Sequence, residues 1–583
     1  MDNYGSITFH DDPINGQHNK ITGFKLLTKR PEAFRLLEFE MDMPMIPNNL
    51  NVYKKDDIFI SINLSSVSGR NITVDEFYFE EYAFDEQMEL KSMGENGRTL
   101  KKPCFRFRVN PKEPGVWSFT VRMVVLGQQV DSLNGCIEVE DSCSVSRLAK
   151  VEPKRRQVFT TDANGPFVLI GENLAWNNHS EIKTQFGQNI ANQMKFLSSY
   201  GCNYTRIWDY QDTGSRIKKA PHMMCQDSSA MWDYIFESAA KYGFYISFVL
   251  NPHGELSTSI DPSFDRSIWN KINGGYIDNA EDFFNDENCI GAFKTYVRYI
   301  VSRWGYSESI LCWELFNEID HTNAIAQGKI NDVKKWLFEI ATYIREIDPY
   351  GHMVSNSAGY PSVAFALTEP FDFIFFHLYN YLTLTQPMNL CYSCWRGNKK
   401  PIVIGETGID GAAKIMLKKR IGYDLLELHQ GNWSGLMSGS AGTGMHWYWE
   451  EVENNNGYRS FLPVSQMAKR IPWDDVKMVH VSNETISSSH HRINVMGYKG
   501  EGYAYLWFYD NNYLPTARDR EVLFENQTAC MELSSGNYNI SWFDTRTGDC
   551  IKEEMYICEN NCMRLCLPDW SKDIAVGIVL KGD

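Results

Sequence analysis

The chain has 583 residues, 43% apolar and 22% charged, with a net charge of −16 at neutral pH. That length exceeds what one hydrophobic core holds and implies several domains. The negative charge argues against nucleic acid and anionic membranes as partners, and no apolar run approaches the length of a membrane span.

The opening MDNYGSITFHDDPINGQ has neither a basic end nor an apolar stretch, so no secretory signal is expected. Of the 14 cysteines, Cys202, Cys289 and Cys312 sit in apolar segments and read as buried free thiols. Cys391 and Cys394 form CYSC without a second such pair, and Cys558, Cys562 and Cys566 have no histidine pair nearby. These spacings miss the usual metal and redox patterns. Thiols in this number suit a reducing compartment, and the expected location is cytoplasmic.

Residues 1–155 alternate short β-rich runs with turn signals: FRLLEFEMDM, DDIFISINLSS, CFRFRVN and GVWSFTVRMVVLG. They predict an Ig-like β-sandwich. The basic stretch KVEPKRRQ at 150–157 reads as a solvated linker.

From 156 to 472 the pattern becomes strand then helix, repeated. The predicted strands are FVLIGEN (167–173), NYTRIWD (203–209), FYISFVL (244–250), ILCWELFNE (310–318), HMVSNSA, FDFIFFH, PIVIGET and GTGMHWYWE. Eight buried strands, each followed by a crossover, favour a closed (β/α)8 TIM barrel over an open sheet. No Gly-x-Gly-x-x-Gly follows the first strand, which weakens a dinucleotide-binding alternative. Residues 473–583 return to β signals in RINVMGYKG, YAYLWFYD, NYNISWFDTRTGD and IAVGIVLK, a second β-sandwich.

In such a barrel the functional side chains come from the C-terminal ends of the strands. The second offers Arg206 and the loop after the third His253. The fourth offers Asn317 and Glu318, the sixth His377 and Tyr379, the seventh Glu406, and the eighth Trp447 and Trp449. Two glutamates on strands four and seven would face each other across the barrel mouth. A carboxyl pair flanking one bond is what glycoside hydrolysis requires, one protonated and one ionised. Arg206 or a Tyr379 hydroxyl would favour ionised Glu406, and apolar neighbours would raise Glu318. Asn317 can bond a sugar 2-hydroxyl, and the tryptophans offer an apolar floor.

Other residues read more plainly. His253 and His377 could instead be structural histidines, Asp209 and Asp320 solvated or capping, and Glu172 a substrate contact or a cap. His446 is expected to point outward because Trp447 takes the other face. Glu314, deeper on the fourth strand, reads as a buried carboxylate with Arg206 as candidate partner. A metal-dependent hydrolase lacks a clustered His/Asp ligand set on the strand ends, so neither metal nor cofactor is expected.

WELFNE on strand four and IGETG on strand seven resemble glycoside hydrolase clan A, and most resemble family 5. The resemblance covers about residues 160–470 and implies Glu318 as acid/base, Glu406 as nucleophile and Tyr379 as the residue orienting it. The flank WNKINGGYIDNAEDFF is similar to a subset with an N-terminal β-sandwich and a C-terminal β domain. The expectation is a retaining β-glycosidase acting by double displacement on oligosaccharides or small glycosides, exo-acting, with homo-oligomerisation open. The alternatives are an endo-acting β-glycanase and a non-catalytic carbohydrate-binding protein on the same scaffold.

Overall fold

The computed structural model describes residues 7–9, 20–45, 47, 49–84, 90–92, 102–155, 157–176, 186–210, 215–379, 385–395, 400–409, 414, 425–513 and 521–581. In the N-terminal part, a five-stranded antiparallel sheet faces a four-stranded one across a shared apolar core. Phe39 in Leu37–Asp42 meets Phe119 in Gly115–Val125, with ring centres 5.9 Å apart. Strand Ile58–Ser66 buries every second residue, as a sheet with one face on a core must.

The central part is built on parallel pairing. Strands β1 (Gly171–Asn173), β2 (Tyr204–Trp208), β3 (Tyr245–Val249), β4 (Ile310–Glu314) and β5 (Met353–Ser355) pair in that order. A short continuation, Ser357–Ala358, pairs with β6 (Ile374–Tyr379), and β6 pairs with β7 (Ile402–Gly408). Isolated parallel bridges join Thr407 to His446 and His446 to Glu172, so the pairing returns to β1. Every residue of β2, β3 and β4 is buried, as strands covered on both faces require. Helices follow the strands: Gln226–Tyr242 closes on Gly243 in the left-handed conformation, and the Asp286 side chain caps Glu287–Trp304 by accepting from Cys289 N.

Four expectations need correction. The segment 167–173 is not one strand: Gly165–Phe167 belongs to an antiparallel sheet with Phe159–Thr161 and Lys150–Val151, and only Gly171–Asn173 joins the parallel set. The stretch 150–157 is therefore partly paired, and Arg155 is buried with Nη1 donating to the Asp475 carbonyl. The fourth strand stops at Glu314, and strand alternation does not carry on to Glu318. The eighth place holds no regular strand; residues 442–446 make only bridges, and a helix begins at Trp449.

After the helix Phe461–Arg470 the chain forms a six-stranded and a three-stranded antiparallel sheet around a second apolar core. Both flanking parts are tied to the centre by buried charge. Asp233 bonds Arg108 from the N-terminal part and Arg303 from the centre, each at 2.6 Å. His429 meets Asp573 at 2.6 Å on the C-terminal side. The described cysteines are free thiols, with Cys202, Cys289 and Cys312 buried as expected, whereas the side chains of Cys391 and Cys394 lie outside the described residues.

Candidate active site

The end of β4 explains how Glu318 reaches the cleft. Beyond Glu314 the chain stays beside its neighbours through Leu315 N to Ser355 O and Asn317 N to Asn251 O. Glu318 then adopts φ 48°, ψ 55°, a left-handed backbone that a glutamate takes only when its surroundings impose it. A single 3-10 turn, Ile319–His321, follows and folds His321 back beside Glu318.

Glu318 and Glu406 meet around one imidazole. His377 Nδ1 lies 2.8 Å from Glu318 Oε1 and 3.3 Å from Glu406 Oε2. Ligand atoms of the two carboxylates and His377 all fall within 4.8 Å of one another. Tyr379 donates its hydroxyl to Glu406 Oε2 at 2.5 Å, and Arg206 Nη1 donates to Oε1 at 2.6 Å. Arg206 is fully buried beneath the floor, where Nη2 also bonds Glu314 at 2.6 Å and Asn317 Oδ1 at 2.7 Å. Glu314 is thus the core carboxylate partnered by Arg206. With its oxygen engaged, Asn317 keeps Nδ2 as a donor, 3.5 Å from His253 Nδ1.

The electrostatics differ from the expectation of apolar neighbours around Glu318. Burial pushes that carboxyl up, but contacts with His321 and His377 and the charge of His253 outweigh it and hold it well below the usual carboxylate range. Glu406 goes the other way: burial raises it, and the charge of Glu318 adds to the rise. His377, Arg206 and the Tyr379 hydrogen bond offset only part of this. Burial and the charge of Glu406 push the Tyr379 phenol well up, so it remains a neutral donor.

Above the pair lies a cleft of about 650 Å³. Trp176, Trp208, Tyr210 and Trp447 form one aromatic wall, and His253, His321 and Tyr360 stand on the Glu318 side. Trp447 is half-buried and lines the cleft, whereas Trp449 is buried, opens a helix and packs edge-on behind Trp176. His446 does not point outward: it is fully buried, and burial with the charge of Lys414 pushes it down to about 3. Asp209 is not solvated but buried, accepting from Ile217 N, with Lys218 at 3.3 Å. Asp320 does cap, taking Gly359 N and Tyr360 N. Glu172 lies away from the cleft among buried groups, and burial holds its carboxyl well above the usual range.

The largest omission from the sequence is His321, whose Nδ1 lies 3.2 Å from Glu318 Oε2. With His253 Nδ1 at 3.5 Å from the same oxygen, it completes a His–Glu–His cluster of metal-ligand type. A clustered set does therefore exist at the strand ends, created by the turn after Glu318. Trp208 could have been found, since it follows Arg206 by two residues on the same face of β2. Trp176, Tyr210 and Tyr360 carry no such signal, because loop geometry places them.

No family model matches the chain. It is 22% identical over 193 residues to mannan endo-1,4-beta-mannosidase 8 of Oryza sativa subsp. japonica, covering 32% of this chain and 50% of that one. It is 24% identical over 256 residues to mannan endo-1,4-beta-mannosidase A of Emericella nidulans, covering 38% and 61%. The chain resembles glycoside hydrolase family 5, of clan A. It spans about half the length of the curated relatives it matches. Its fold is similar to that of a candidate glycoside hydrolase from Bacteroides vulgatus ATCC 8482, with a TM-score of 0.58 at 12% identity, covering 94% of this chain and 99% of that one.

Proposed function

We propose that the chain is a retaining β-glycoside hydrolase that cleaves β-1,4-linked mannan chains internally. Its architecture on this reading is a (β/α)8 barrel at 156–472 between β-sandwiches at 1–155 and 473–583. One observation carries the chemistry: the Glu318 and Glu406 carboxylates share His377, with ligand atoms within 4.8 Å. Retention needs carboxyl groups about 5–5.5 Å apart, whereas inversion needs about 6.5–9.5 Å to admit a water.

In the first step Glu406 attacks the anomeric carbon while Glu318 gives a proton to the departing glycosidic oxygen, forming a glycosyl-enzyme ester on Glu406. In the second, Glu318 takes a proton from water, the water oxygen attacks the same carbon, and the ester bond to Glu406 breaks. Arg206 and Tyr379 stabilise the Glu406 carboxylate before attack and on release. The free site leaves Glu318 ionised beside His321, whose imidazole that carboxylate pushes up despite burial, so His321 holds the proton that Glu318 passes on in the first step. Asn317 Nδ2 is placed to bond the sugar 2-hydroxyl, and Trp447 to support the ring.

The expected exo action gives way to endo action. The relatives are named as endo-mannosidases. Tyr360 supports the same choice: it stands 61% exposed beside His321, on the side where a leaving chain would lie. Incubation with β-1,4-mannan and with mannohexaose, followed by chromatography of early products, tests this. A ladder of oligosaccharides is expected. Release of monosaccharide alone, or no cleavage of any β-mannan, overturns the proposal.

A further inference from the structure

His253, Glu318 and His321 bring two imidazole nitrogens to one carboxylate oxygen. Glu318 Oε2 lies 3.2 Å from His321 Nδ1 and 3.5 Å from His253 Nδ1, and the three ligand atoms all fall within 4.8 Å. A tetrahedral zinc ion with bonds of about 2.0–2.1 Å holds its ligand atoms roughly 3.3–3.4 Å apart. Two of the three edges therefore fit zinc before any side chain moves.

An arriving cation displaces the proton from each Nδ1, and the surroundings hold the imidazoles in place for that exchange. Asp261 Oδ2 lies 3.2 Å from His253 Nε2, and a carboxylate there keeps a proton on Nε2, so that Nδ1 is the nitrogen left to a cation. Asn317 Nδ2 competes for that nitrogen only from 3.5 Å, a weak contact. His321 Nδ1 is buried and off the line a straight hydrogen bond to Oε2 would take. All three residues line the cleft, the side from which an ion would approach.

We propose that His253, Glu318 and His321 bind one divalent cation of the zinc class, and that the bound ion blocks the cleft by occupying the carboxylate that must exchange protons. Two imidazoles and a carboxylate suit zinc, copper, nickel or cobalt, whereas magnesium and calcium require mostly oxygen ligands. The neighbouring group of Glu318, His377 and Glu406 has similar spacing but is a poor cation site, because Arg206 sits bonded to Glu406. Binding rests on this geometry alone; inhibition rests also on the reading of Glu318 as acid/base.

The test is a calorimetric titration of the full chain with Zn²⁺, after alkylation of the exposed thiols, among them Cys143, Cys550, Cys562 and Cys566. One ion per chain is expected. Asp261→Asn, which removes the carboxylate beside His253 Nε2, should weaken binding about 10–100-fold. His321→Gln and His253→Gln should each weaken it more. Zinc should also inhibit mannan cleavage reversibly, with a chelator restoring turnover and the inhibition constant following the Kd across the variants. The proposal is overturned if zinc does not bind, if all three variants keep wild-type affinity, or if inhibition is the same in each. A chain that binds zinc at this site yet cleaves no β-mannan would retain the site and lose the proposed function.

Discussion

Replacing Tyr379 by Phe removes one hydroxyl and the 2.5 Å bond to Glu406 Oε2, and leaves the ring in place. A hydrogen bond to a charged group contributes about 1.5–3 kcal/mol. At about 1.36 kcal/mol per pKa unit, the Glu406 carboxyl, already raised by burial, should rise by roughly a further one to two units. The nucleophile works only when ionised, so the acidic limb of kcat/KM against pH should move up by that amount. Below the displaced limb the rate should fall by about 10–150-fold, the same free energy expressed as a ratio. The assay is hydrolysis of an activated aryl β-mannoside across pH, where leaving-group protonation matters least. Stability gives a second readout with a definite sign. A carboxyl raised in the folded state binds more protons folded than unfolded, so stability declines as pH rises through that window. Tyr379→Phe widens the window, so the variant should lose stability at neutral pH and match the wild type below the unfolded carboxylate pKa. An unmoved acidic limb, or one displaced downward, would refute the role of this hydrogen bond.

Two further outcomes follow from the same geometry. Glu406→Ala should abolish turnover of every natural substrate, whereas Glu318→Ala should keep an activated donor reactive and accumulate the glycosyl-enzyme. Azide should then rescue Glu318→Ala with a β-glycosyl azide and Glu406→Ala with the inverted azide; products the other way round would exchange the assigned roles. Asp233→Ala removes the carboxylate shared by Arg108 and by fully buried Arg303, and should cost about 3–5 kcal/mol by chemical denaturation. Despite burial, those arginines depress the Asp233 carboxyl, so its contribution is full above the unfolded pKa and disappears only as pH falls through the folded one. A wild-type-to-variant difference already absent at neutral pH would contradict that assignment.

The sequence was most legible where local pattern and chemistry coincide. Arg206, Asn317, Glu318, His377, Tyr379 and Glu406 lie at or just beyond strand ends, and buried apolar runs mark those strands without ambiguity. The pairing of Arg206 with Glu314 followed from the cost of burying a lone charge. Legibility failed where backbone geometry departs from regular elements. His321 reaches Glu318 only because Glu318 turns left-handed and a 3-10 turn follows, a conformation that the run NEIDH does not announce. His446 and Trp449 depart from expectation because strand alternation does not hold in a segment that makes bridges and then starts a helix. The environment of Glu318 differs from expectation for the same reason, since its apolar neighbours in sequence are not its neighbours in space.

On the proposed mechanism Glu406 attacks the sugar and Glu318 completes the reaction with retention. Proton nuclear magnetic resonance of the first turnovers on a β-1,4-manno-oligosaccharide tests it most directly, because the new reducing end reveals its anomeric form before mutarotation. The β-anomer should appear first and the α-anomer only later. An α-anomer formed first would mean single displacement by water, and would contradict both the nucleophile and the geometry from which it was assigned.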